Sequence, residues 1–130
     1  MNGSDFWNEA EHIVCYTREM ALSDGVLIPI DTDLRLDAGY QFPVDFSLHL
    51  ATYLEQKLAV PGQSCGNLAC EQMLVLVAAR GALMSRYPHG ALSSELPIRA
   101  TFTLGQYMDR PEAIVSFDGE SFVIFFPEDD

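Results

Sequence analysis

The hydrophobic period changes once along this chain, and that change limits what it can fold into. From Leu48 to Arg86 apolar residues recur at intervals of three and four, whereas from Ile98 they alternate: Ile98, Ala100, Phe102 and Leu104 against Arg99, Thr101 and Thr103. A period near 3.6 belongs to a helix and a period of 2 to a strand. The expected fold is therefore α+β, with N-terminal and central helices packed on a C-terminal three-stranded antiparallel β-meander.

Local signals place the elements. Ser47 is positioned to cap a helix from Leu48 to about Leu58, whose inward stripe is Leu50, Leu54 and Leu58. Residues 61–66 form a loop, and Asn67 caps the longest helix, Leu68 to Arg86. Its inward face reads as Ala69, Met73, Leu76, Val77, Leu83 and Met84, flanked by Leu74, Val75 and Ala78, and Gly81 points to close packing. Upstream, Thr17 caps a short helix through Leu22 that Gly25 terminates. Residues 26–30 read as an extra short strand, held to a sheet edge by Pro29, which has no N–H to donate. Asp31, Thr32 and Asp33 open one more short helix, closed by Gly39, and residues 1–12 read as a short helix or arm. Near the C-terminus, strands Ala113–Phe117 and Ser121–Phe126 flank Asp118-Gly119, which predicts a hairpin with a two-residue type I′ turn.

With 130 residues, 48% of them hydrophobic, residues 1–130 are expected to form a single domain with enough apolar surface to fold. No apolar run reaches the roughly 18 to 20 residues that span a bilayer, so no membrane partner is expected. Cys15, Cys65 and Cys70 make an odd count with no apolar leader ahead of them, which predicts reduced thiols and a cytoplasmic setting in a bacterial host. The formal charge is −12, and it is unevenly placed: net −7 over residues 1–45, +1 over 46–108 and −6 over 109–130. A field of that sign repels nucleic acid and anionic membranes and speeds encounter with cationic surfaces.

Chemistry-bearing patterns are sparse. His12, His49 and His89 stand far apart, none in metal-ligand spacing with a cysteine, and neither a metal nor a cofactor is expected. No phosphate-cradling glycine loop, nucleophile elbow or dinucleotide fingerprint is present. The pairs Asp31 with Asp33 and Glu9 with Glu11 read as cap and surface residues, since a catalytic pair needs one buried member. Cys65 and Cys70 flank a helix start, where a thiol is activated, although free cysteine is usually buried and inert. The rings of Phe102, Phe117, Phe122, Phe125 and Phe126 lack the cations that base stacking requires, so no direct nucleic acid is expected. Phe126 and Tyr107 are the expected exposed remnant, and Trp7 with Phe6 forms a second candidate anchor for a protein.

Four segments carry a resemblance. Tyr16-Thr17-Arg18, then Asp24-Gly25-Val26-Leu27, then Ala38-Gly39-Tyr40 with Pro43-Val44, together with the last strand and its Pro127-Glu128 tail, resemble a family of small proteins carried by phages, plasmids and integrated mobile elements. That family has no established activity. The resemblance implies a mobile-element setting, and combined with the charge it leads to the expectation of a non-enzymatic acidic protein. Such a protein occupies a basic surface of a host protein or ribonucleoprotein complex by nucleic-acid mimicry, as an anti-CRISPR or anti-restriction inhibitor does. The residues expected to meet the partner are Asp5, Trp7, Glu9, Glu11, Asp31, Asp33, Asp37, Asp109, Glu112, Asp118, Glu120, Glu128, Asp129 and Asp130. Two alternatives stand beside it: an accessory or regulatory module that binds protein through apolar contacts, and a thiol-dependent enzyme using Cys65 or Cys70. The oligomeric state, including a homodimer, is left open.

Overall fold

The computed structural model describes residues 17–60, 66–90 and 92–130. The expected arm over residues 1–12, with Asp5, Trp7, Glu9 and Glu11, lies outside the described residues, as do Cys15 and Cys65.

Each helix begins where a side-chain acceptor meets an otherwise unpaired N–H. Thr17 opens α1 (Arg18–Ser23), accepting from the N–H of Met20 at 3.2 Å, and Gly25 ends that turn at φ 76°. After β1 (Leu27–Pro29), Asp31 caps α2 (Thr32–Asp37). Then β2 (Val44–Ser47) runs directly into α3 (Leu48–Leu58), because Ser47 both ends the strand and caps the helix, accepting from Leu50 N–H at 3.1 Å. Asn67 opens α4 (Leu68–Arg86) by accepting from Cys70 N–H at 2.9 Å. A 3₁₀ turn, Ser93–Glu95, leads to β3 (Ile98–Thr103), β4 (Glu112–Phe117) and β5 (Phe122–Phe125), and a last 3₁₀ turn covers Pro127–Asp129.

The strands form one five-stranded sheet in the order β1-β2-β5-β4-β3. The C-terminal meander is present as expected, with β3 antiparallel to β4 and β4 to β5. Its free side is extended by β2, parallel to β5 through the pairs Val44–Phe122 and Phe46–Ile124, and β1 pairs antiparallel with β2 at the edge. The edge position suits Pro29. β2, a short segment behind Pro43 that carries a carboxylate, is not among the expected elements. The turn between β4 and β5 also differs from expectation: Asp118 N–H donates to the Ser121 carbonyl at 3.3 Å, so Gly119 and Glu120 are the central residues. Gly119 alone in that turn has positive φ, at 99°, where a type I′ turn would need two such residues.

α2, α3 and α4 share one face of the sheet, and the core lies between. Phe46, Leu50, Leu54, Val75, Leu76, Ala79, Val115 and Ile124 have no solvent exposure. A large apolar side chain buried this way contributes about 1.5–3 kcal/mol. The inward face of α4 is rotated from the expected one: Val75, Leu76, Ala79 and Leu83 point inward, while Val77 and Met84 are 54% and 53% exposed. Glu71 lies on that inward face, because the hydroxyl of Tyr107 donates to its Oε2 from the β3–β4 loop. By length and composition α4 is apolar enough to cross a bilayer, a test that core helices also meet, and here its inner face is committed to the sheet.

The opposite face holds a buried ion pair. Phe46 points into the core, so its neighbour Asp45 points the other way. There Arg18 of α1 grips it with Nε–Oδ2 at 2.5 Å and Nη2–Oδ1 at 2.9 Å. Asp45 has no exposure at all, and the pairing with Asp45 holds the Arg18 guanidinium above its ordinary pKa.

Candidate functional site

The sheet sorts the expected acidic residues into two groups. β4 begins at Glu112 and ends beside Asp118, so its six residues separate the two ends by about 17 Å. At the Asp118 end stand Glu120 of the same turn, Asp33 and Asp37 of α2 and its cap Asp31, all exposed. Asp118 is partly spent on its own turn, accepting from the N–H groups of Glu120 and Ser121 at 2.8 and 2.9 Å. At the other end Glu112, Glu128 and Asp129 stand by the start of α3, Asp109 meets Tyr53 and Lys57 further along that helix, and Asp130 pairs with Arg99 of β3. Among the described residues, these acids therefore fall into two groups rather than one continuous face.

The second group lines a cleft with its own carboxylates. His49, Tyr53, Pro111, Glu112, Phe126, Pro127 and Glu128 enclose a hollow of about 340 Å³. His49 and Tyr53 are four residues apart on α3, and so share one side of that helix. Both rings meet Phe126 edge-on, with centroids 4.8 and 5.3 Å away. The C-terminal turn is tied to the start of α3 by Asp129, which accepts from Ser47 Oγ at 3.1 Å and from Phe126 N–H at 3.2 Å. His49 Nδ1 lies 3.4 Å from Asp129 Oδ1 and 3.8 Å from Glu128 Oε1.

Several of these acids already have partners. Asp109 accepts from the Tyr53 hydroxyl at 2.7 and 2.8 Å and has Lys57 Nζ at 3.6 Å; the Tyr53 bond, with Lys57 behind it, holds this carboxyl below the usual range. Lys57 also lies over the rings of Tyr53 and Tyr107, at 5.0 and 5.7 Å. Asp130 takes both arms of Arg99, at 2.5 and 3.0 Å, which depresses its pKa, and Arg99 in turn covers the ring of Phe125. Glu112 and Glu128 are exposed carboxylates on the rim, Glu128 with His49 Nδ1 3.8 Å away. Together with the rings they make a cation-accepting hollow: carboxylates strengthen a hydrogen bond to an ionised donor, and aromatic faces attract the same charge.

Two expectations are corrected here. Phe126 and Tyr107 are 3% and 1% exposed, so they are walls and core rather than an exposed anchor. Burial, with the Asp109 and Glu71 carboxylates adding to it, pushes the hydroxyls of Tyr53 and Tyr107 above the ordinary tyrosine range. Cys70 is disulfide-bonded, with its partner outside the described residues, so it carries no reduced thiol. Among the described residues no group of three or more His, Cys, Asp or Glu could hold a metal ion. His49 and Tyr53 were absent from the expected site. Their signal in the sequence is the repeat His49, Tyr53, Lys57, a polar stripe every four residues beside the leucine stripe of the same helix. Comparison with known protein families, curated proteins and solved structures finds no match.

Proposed function

We propose that this chain is a non-enzymatic acidic binding protein that occupies a basic surface of a protein or ribonucleoprotein partner. The observation that carries the reading is the convergence of Glu112 and Glu128 on a hollow walled by His49, Tyr53 and Phe126. An arginine side chain suits it, because a planar guanidinium stacks on rings and pairs with carboxylates at once. The surrounding charge of −12 speeds the encounter. A basic surface of this kind is what nucleic-acid-handling complexes present to phosphates. In the mobile-element setting that the sequence resemblance implies, the function is inhibition of such a complex, of the anti-CRISPR or anti-restriction type, in a bacterial host. The two separate patches favour capture of one or two basic anchor points over mimicry of a continuous phosphate track.

The test uses an arginine-rich peptide as probe. Titration followed by NMR is expected to shift the amides of His49, Tyr53 and Phe126 first, and Glu112→Gln with Glu128→Gln to weaken binding about tenfold. Equal weakening by Asp33→Asn with Asp37→Asn at the far end would overturn the site. Pull-down from a bacterial lysate with native and double-variant protein then asks whether a basic nucleic-acid-binding partner is lost with the cleft.

A further inference from the structure

At the opposite end of the sheet the chain has a larger hollow of contrary character. It measures about 480 Å³, and its aromatic lining includes Tyr40, Phe42, Phe117, Phe122 and Tyr87. Phe117 and Phe122 are stacked, with centroids at 4.3 Å and planes 22° apart. Phe42 tilts against Phe117 at 5.2 Å, and Tyr40 meets Phe122 edge-on at 4.9 Å. Four rings thus run in one row. Phe42, in a loop, is 43% exposed, an unfavourable setting for a large apolar ring.

In a protein of net charge −12, the one charged side chain among the described residues that line this hollow is a cation, Arg80. Among the described residues no ion pair engages it. Its position is set by the backbone beneath it. Gly39 has φ 94°, and a Cβ there would stand 2.8 Å from Arg80 Nε and 3.2 Å from Cζ, so the guanidinium lies where any side chain on residue 39 would be. α4 fixes the stem of Arg80, and the hydroxyl of Tyr40 donates to the Leu76 carbonyl at 2.5 Å, tying the aromatic row to the same helix.

We infer that this hollow binds a small planar aromatic anion, its ring laid against the Phe42–Phe117–Phe122 row and its carboxylate or sulfonate on Arg80. The volume lies within the roughly 300–1,000 Å³ of small-molecule sites, which are mostly apolar with a few placed polar groups. Aromatic pairs gain from offset stacking beyond area alone, and a hydrogen bond to an ionised partner is stronger than a neutral one. The inference is independent of the proposed function: it concerns the other end of the sheet and a ligand of opposite charge.

The probe is anilinonaphthalene sulfonate, followed by fluorescence and displaced with naphthoate or with the neutral naphthylmethanol. The expected result is one dye per chain, with naphthoate about tenfold tighter than naphthylmethanol. Arg80→Met is expected to abolish that preference while leaving the neutral ligand unaffected. Ser93→Trp, on the rim, is expected to weaken both ligands, and Glu112→Gln with Glu128→Gln to change neither. Equal affinity of the two ligands in the native protein, a preference that survives Arg80→Met, or binding unaltered by Ser93→Trp would overturn the inference.

Discussion

Asp45 is a carboxylate with no solvent exposure, held by Arg18, and that defines the most fragile point of the fold. Arg18→Met would leave the charge buried and alone, a loss of the order of 3–5 kcal/mol for broken buried pairs. Arg18 itself is 34% exposed on its side chain, which lets water reach the site and places the expected loss near 3 kcal/mol. Urea unfolding measures it, and the double variant Arg18→Met, Asp45→Leu should recover most of the loss, because no charge then remains to desolvate. A second residue-scale expectation concerns alkali. Burial raises the pKa of Tyr40, Tyr53 and Tyr107, so the folded state keeps protons that the unfolded state releases above the ordinary tyrosine value. The stabilisation is complete below about pH 10 and is lost as pH rises beyond it. Tyrosinate absorbance and far-ultraviolet circular dichroism should therefore change together on alkaline titration. Separate transitions, with ionisation first, would show these hydroxyls to be accessible.

Among the elements, the ends of helices were the most legible part of the sequence. Thr17, Asp31, Ser47 and Asn67 each cap the helix they were expected to cap, because a side-chain oxygen ahead of an apolar run has a local and nearly context-free role. Ser47→Ala is expected to destabilise by about 1–2 kcal/mol, the upper part of the range for caps, since the same hydroxyl also holds Asp129. Thermal unfolding of Ser47→Ala beside Asp129→Asn measures it, and additive losses would show that the two contacts are not one unit. The rotated face of α4 was not legible because nearly every side of that helix is apolar, so only the partner decides which side turns inward. Tyr107 is that partner for Glu71, and it lies 36 residues away. β2 was missed for a related reason: its carboxylate looks solvent-facing until Arg18 is seen above it. The acidic cleft was half legible, its carboxylates from composition and its aromatic wall only from the three-dimensional approach of α3 to the C-terminal turn.

For the whole molecule, charge and topology set the behaviour. The two acidic patches lie about 17 Å apart along β4, a distance within the Debye length of roughly 30 Å at 0.01 M salt and beyond that of about 8 Å at 0.15 M. Raising salt between those values should increase the melting temperature by relieving repulsion, while weakening any complex with a basic partner. Calorimetry and binding run in the same buffers test both, and a complex that tightens with salt would favour apolar docking instead. Topology has its own consequence, in synthesis. The parallel pair β2–β5 joins Val44 to Phe122, so the sheet's second strand waits for the last one. β3, β4 and α4 can assemble earlier from near neighbours, and β1 can pair with β2, but that pair has no place in the larger sheet until β5, Phe122–Phe125, has left the ribosome. The nascent chain must therefore carry the β1–β2 pair with the β5 side of β2 open from the synthesis of Ser47 until that of Phe125, and its yield in the cell should depend on what shields that edge in the meantime.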